Sequence, residues 1–281
     1  YPPVVSCWYW TLLPPIYQRI PDPMRSQRES KMYVQQAVQD LVLAASQPNL
    51  SNHDRQMLVR FVETQFNPSE VPTFRYPAVG GLSQAPQADP WVRELVLAKE
   101  HLRLAWIARG EGFANTVTQE GFANFREQLL RARYHALSAW KLHPELPDAQ
   151  AVMISLTMAS GGVAGEDTRF WFDEALRADL NCHNAYVNYA WSLRPRWGGS
   201  HEEMLQLARE CLATGRFDSG VPAQYYRILG NISEEMGGVE ALKLPGVVEE
   251  MLTMYKGMES KAPNEDLRRR LQSSPVAVLW L

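Results

Sequence analysis

The stretch 171–200, WFDEALRADLNCHNAYVNYAWSLRPRWGGS, constrains the fold of this chain more than any other. Trp171, Phe172 and Ala175 share one helix face with Thr168 and Leu176, and Asp179 closes that helix. Asn181 and Asn184 offer start signals for a second helix, whose apolar face is Tyr186, Tyr189, Ala190 and Leu193. Arg194-Pro195 ends it, because a residue before proline is pushed out of the α region. Trp197-Gly198-Gly199 reads as a turn with two residues free to take positive φ. On this reading the Trp197 ring plugs the core between two helices. Ser200, with Glu203 three residues later, is a capping box that opens the next helix, 201–213.

The neighbouring segments repeat part of this pattern. Ala132, Ala136, Ala139 and Pro144 stand at the offsets where tetratricopeptide repeats place small or aromatic residues and then proline in their second helix. Thr168, Phe172, Ala175 and Leu180 repeat the offsets with leucine for proline, and Leu205 and Ala208 repeat the middle pair. The intervals are close to the ~34-residue length of that repeat. Tyr186 and Ala190 suit the first helix of such a repeat, whereas Gln150 and Ile154 fit it poorly. Chance alanine spacing in ordinary helical hairpins is the competing account.

The residues WF, A, D, AY, L, PRWGGS and ML through this region resemble a bacterial domain family of unknown function with tetratricopeptide-like helices. The upstream segments AWIARGEGFANTVTQEGFANF and AWKLHPELPDAQAVMI are similar to its leader helices. The resemblance covers about 90–236, and PRWGGS, 195–200, is its specific part. It implies a helical fold. It brings no activity, substrate or catalytic residue to carry over.

Composition narrows the classes further. Hydrophobic content of 46% is ample for a core, and a net charge of −3 implies no general attraction to nucleic acid. Cys7, Cys182 and Cys211 form no CxxC pair, so neither a disulfide framework nor a zinc framework follows. No apolar run reaches the ~18 residues of a membrane span. The chain begins at Tyr1, which fits either a cytoplasmic protein or one exported after N-terminal processing.

Taken in order, 1–24 reads as an extended aromatic and proline-rich arm. Trp8, Tyr9 and Trp10 are too apolar to stay wet, so the arm packs on the body, a partner or a membrane surface. A helical pair follows at 25–66, its second helix opened by a Ser51/Asp54 capping box. Four prolines and two glycines, with Pro90 just beyond, make 67–89 the best linker candidate. Asp89-Pro90 starts a helix ending at Arg109-Gly110, and Thr118 caps the longest helix, which reaches Leu142. The tetratricopeptide-like domain is assigned 90–260, and 261–281 a final helix and tail.

Chemistry-bearing patterns are sparse. Asp179, Cys182 and His183 are the nearest approach to a metal set, but a solvated helix boundary accounts for them. Ser200 beside His201 has no GxSxG context, and its capping role explains it. Gly198, Gly199 and the first amides of the following helix, with Arg194 or Arg196, could hold an anion. No metal or cofactor and no catalytic residue is called for. The expected fold is all-α, a short array of antiparallel helix pairs behind an extended arm. The expected function is binding of a protein or peptide in a groove lined by Asn184, Asn188, Trp191, Arg194 and Arg196. Trp171, Phe172, Tyr186, Trp197, Gly198, Gly199 and Ser200 are expected to be structural. Two alternatives stand beside this: an enzyme or ligand-binding domain using the turn 194–200 for an anion, and a structural subunit of a larger assembly. A deep closed pocket favours the enzyme and an open groove favours binding. Oligomeric state is left open.

Overall fold

The structure, a computed structural model, describes residues 23–64, 71–110, 112, 116–161 and 166–279, with backbone alone for 23–30, 64, 71–73 and 273–279. The expectation for the arm 1–24 therefore falls almost wholly outside the described residues. Among those residues the fold is all-α, with no strand, and no helix is long and apolar enough to cross a membrane. The chain divides into two compact units, Tyr1–Ser160 and Gly161–Leu281. This division falls inside the range 90–260 read from sequence as one domain.

The first unit holds α1 (Pro23–Ala45), α2 (Asn52–Thr64), α3 (Val71–Ser83), α4 (Pro90–Arg109), α5 (Gln119–Leu142) and α6 (Asp148–Ser160). Its punctuation follows local chemistry. Ser51 Oγ accepts the Asp54 amide and Asp54 Oδ2 accepts the Ser51 amide, a reciprocal cap on α2. Asp89 Oδ1 accepts the Val92 amide ahead of Pro90, and Gly110, at φ 72°, terminates α4. Thr118 caps α5 through the Gly121 amide. The α4–α5 hairpin is antiparallel. Early Glu94 meets late His135 at 2.7 Å, and His101 meets Gln128 at 2.7 Å.

The proline-rich stretch departs from the linker reading, because most of it is helix α3. Phe74, Ala78 and Leu82 recur at helical spacing and are buried, with Phe74 edge-on to Phe61 at 5.3 Å. Gly81 lets α3 lie close against α1: a Cβ there would sit 2.7 Å from Val38 Cγ1. Pro77 is an exposed residue inside the helix, where it removes one backbone bond. Burial of the opposite face outweighs that loss.

The second unit holds α7 (Thr168–Ala178), α8 (His183–Ser192), a 3-10 turn Pro195–Trp197, α9 (His201–Ala213), α10 (Gln224–Met236), a 3-10 segment Val239–Lys243, α11 (Val247–Ser260) and α12 (Glu265–Leu279). Its core starts from Trp171 and Phe172 on α7. The Phe172 ring stacks on Tyr189 at 4.4 Å and meets Tyr186 edge-on at 5.3 Å, fixing α7 against α8. Tyr186 donates its hydroxyl to the Leu180 carbonyl. Helices α9 and α10 are antiparallel, since His201 at the start of one meets Glu235 near the end of the other. The Tyr225 hydroxyl donates to Glu250, which also accepts from Arg209, so one carboxylate joins α9, α10 and α11.

Candidate functional site

Helices α8 and α10 set the geometry. At their starts, the His183 side chain lies close to Gln224 and within electrostatic reach of Arg227. At their far ends, Arg194 Nη1 lies 3.2 Å from Glu235 Oε1. The same sequence interval separates His183 from Gln224 and Arg194 from Glu235. The two helices therefore run in the same direction and in register, linked at their ends through side chains rather than by close backbone packing. Just before both, Asn181 Oδ1 accepts the Gly220 amide at 3.0 Å.

The end beyond α8 is an open cleft of about 660 Å³ lined by Trp191, Arg194, Pro195, Arg196, Glu234 and Glu235. The Arg194 guanidinium lies 4.0 Å from the Trp191 ring centre and that of Arg196 lies 5.5 Å away. Glu235, whose side chain is 15% exposed, sits among three basic groups. Arg194 is at 3.2 Å, Arg196 at 3.6 Å and His201 at 3.0 Å. Glu234 is 76% exposed and 3.9 Å from Arg194. Asn184 and Trp191 are exposed and Asn188 is half-buried, all on α8.

Local sequence logic inverts at the turn. Arg194 is 5% exposed, while Trp197 is only half-buried. Trp197 is half-buried with its indole nitrogen enclosed, so it is not the fully buried plug expected. The buried side chain there is the arginine, held by Glu235 and covered by Trp191. Gly198 has φ 92°, but Gly199 is needed for a different reason: a Cβ on it would lie 2.2 Å from the Leu193 carbonyl oxygen. Ser200 Oγ accepts the Glu203 amide and donates to its carboxylate, so the first turn of α9 is already capped from within.

The remaining candidates disperse. Asp179 Oδ1 takes the Asn181 amide, and His183 turns to Gln224 and Arg227. Burial, then the Arg227 charge, holds the His183 imidazole below its ordinary value. Cys211 is buried and its thiol is pushed up to about 12, chiefly by desolvation. Among the described residues no three metal-ligating side chains converge.

Sequence reasoning missed Glu235, Gln224 and Arg227, since their partners lie far away in the chain. One local signal existed. Ile228, Ile232 and Glu235 follow helical spacing, which puts Glu235 at the edge of the apolar face rather than among solvated charges. The chain matches no family model, no curated protein and no solved structure.

Proposed function

We propose that the unit Gly161–Leu281 is a protein-interaction module of tetratricopeptide-like helix pairs that binds an extended peptide segment along α8 and α10. The parallel, in-register course of these two helices carries this reading. First helices of successive repeats line a shared face in such arrays, and α8 and α10 occupy those positions in the repeat pattern. The face is open and presents Asn184, Val187 and Trp191 from α8. Large exposed apolar groups beside amide side chains suit a peptide, whose backbone needs hydrogen bonds and whose side chains need apolar contact.

The anion-binding alternative is less well supported. Arg194 and Arg196 already lean on Glu235, and the start of α9 carries Glu202 and Glu203 beside its own cap. A phage-displayed library of random heptapeptides, selected on the full chain, tests the proposal. Wild type should enrich a family of sequences, and Trp191→Ala and Asn184→Ala variants with unchanged circular dichroism should lose most of it. Equal enrichment on wild type and both variants would sink it.

A further inference from the structure

We propose that His101 on α4 and His135 on α5 form a two-histidine site for a late first-row divalent cation such as Cu2+, Ni2+ or Zn2+. The two imidazoles meet across the antiparallel hairpin. Their ring centres are 5.5 Å apart and their planes are parallel to within 5°. With metal–nitrogen bonds of ~2.0–2.1 Å, two imidazoles on one ion hold their ring centres about 5–6 Å apart. That is the separation found, so any adjustment falls on side-chain torsions and not on the two helices.

Hydrogen bonds assign the ring nitrogens. His135 Nδ1 donates to Glu94 Oε2 and His101 Nδ1 donates to Gln128 Oε1, both at 2.7 Å. A carboxylate only accepts, so the His135 proton is on Nδ1, and the Gln128 oxygen sets the same tautomer at His101. Each Nε2 keeps its lone pair, and among the described residues neither has a hydrogen-bond partner. An imidazole with Nδ1–H held by a carboxylate or amide oxygen and Nε2 open is arranged as metal-binding histidines are. The arrangement occurs twice. Glu94 precedes His101 by two turns of α4, and Gln128 precedes His135 by two turns of α5. Each orienting side chain leans further back toward its own N-terminus, away from the histidine pair. Both histidines are half-buried, so an ion is reached from solvent yet partly shielded from it. Two protein ligands leave the remaining positions to water, and imidazole nitrogen favours late first-row ions over magnesium or calcium.

Calorimetric titration of the full chain with Zn2+, and electron paramagnetic resonance of its Cu2+ form, test the site. Wild type should bind one ion and show two nitrogens on Cu2+. The chain has six histidines, so binding must be traced to this pair. In His101→Asn and His135→Asn the new amide donates where Nδ1 did, but nothing replaces Nε2 as a ligand. Each variant should weaken Zn2+ binding about tenfold or more and leave one nitrogen on Cu2+, with an unchanged circular dichroism spectrum. Glu94→Gln should weaken binding about tenfold by loosening the His135 ring. His53→Asn and His143→Asn should leave it as it is. The ion joins α4 to α5 in the folded chain, so saturating Zn2+ should raise the melting temperature of wild type and not of the two asparagine variants. Binding that survives both asparagine variants belongs to other histidines and overturns the proposal. A Cu2+ signal with fewer than two nitrogens, or no heat of binding in the millimolar range, overturns it too and leaves the pair a structural stack.

Discussion

Arg194 and Trp197 exchange the roles that their chemistry suggests. A tryptophan before two glycines looks like a core anchor, and an arginine before proline looks like a surface charge. In the fold Arg194 is enclosed between the Trp191 ring and Glu235, and Trp197 is only half-buried. Removing one partner of a buried pair costs about 3–5 kcal/mol, because the other charge stays behind. Glu235 keeps Arg196 and His201, so Arg194→Ala should fall near the lower end, about 3 kcal/mol. Trp197→Ala should cost roughly half of the 3–5 kcal/mol for a fully buried ring. Urea unfolding of the two variants checks the order, and a larger loss at Trp197 would overturn this account. At the glycines the order is set by contact rather than by φ. Gly199→Ala should be the more damaging, since its Cβ meets a carbonyl oxygen, whereas Gly198→Ala costs about 1–2 kcal/mol for a left-handed alanine.

Helix α3 is the element where composition and structure part. Proline and glycine act as breakers when a segment is read alone. Here Phe74, Ala78 and Leu82 bury one side, and Gly81 is an asset because it admits Val38. Pro77 stays as an exposed defect. Pro77→Ala should restore the missing backbone bond and stabilise the protein by about 2 kcal/mol, the helix-interior cost of ~3 less ~1 for a freer unfolded chain. Thermal melting gives the sign. A lower melting temperature would mean that the helix needs proline at that position.

On the scale of the whole molecule, the two units carry their buried charge differently. In Tyr1–Ser160, Glu100 is 5% exposed and accepts from Arg75 at 2.7 Å and from both nitrogens of the Arg103 fork. Burial alone would raise its carboxyl, but hydrogen bonds from Arg103 and Arg75 hold it below the ordinary 4.5. A depressed carboxylate contributes stability that is complete above the ordinary value. That stability is lost as pH falls through the lower folded value. Acid denaturation followed by circular dichroism should therefore show a loss that Glu100→Gln flattens, at the expense of stability near neutrality. An unchanged acid limb in Glu100→Gln would refute the assignment.

Boundaries that depend on neighbours a few residues away were legible in the chain. The caps at Ser51, Asp89, Thr118 and Ser200, the stop at Gly110 and the all-helical class all arise from hydrogen bonds and steric limits within a turn or two. Asn184, Trp191, Arg194 and Arg196 could likewise be placed on or just after one helix by spacing alone. Which of them is wet and which is buried depended on Glu235, forty-one positions beyond Arg194, and on the parallel course of α8 and α10. The same holds for Gly81 and Val38, and for Glu100 and Arg75. Helical periodicity is a property of the chain, whereas burial and charge pairing belong to surfaces that exist only once distant segments meet. Sequence by itself determined the helices and their ends; only the tertiary structure decided what each face touches.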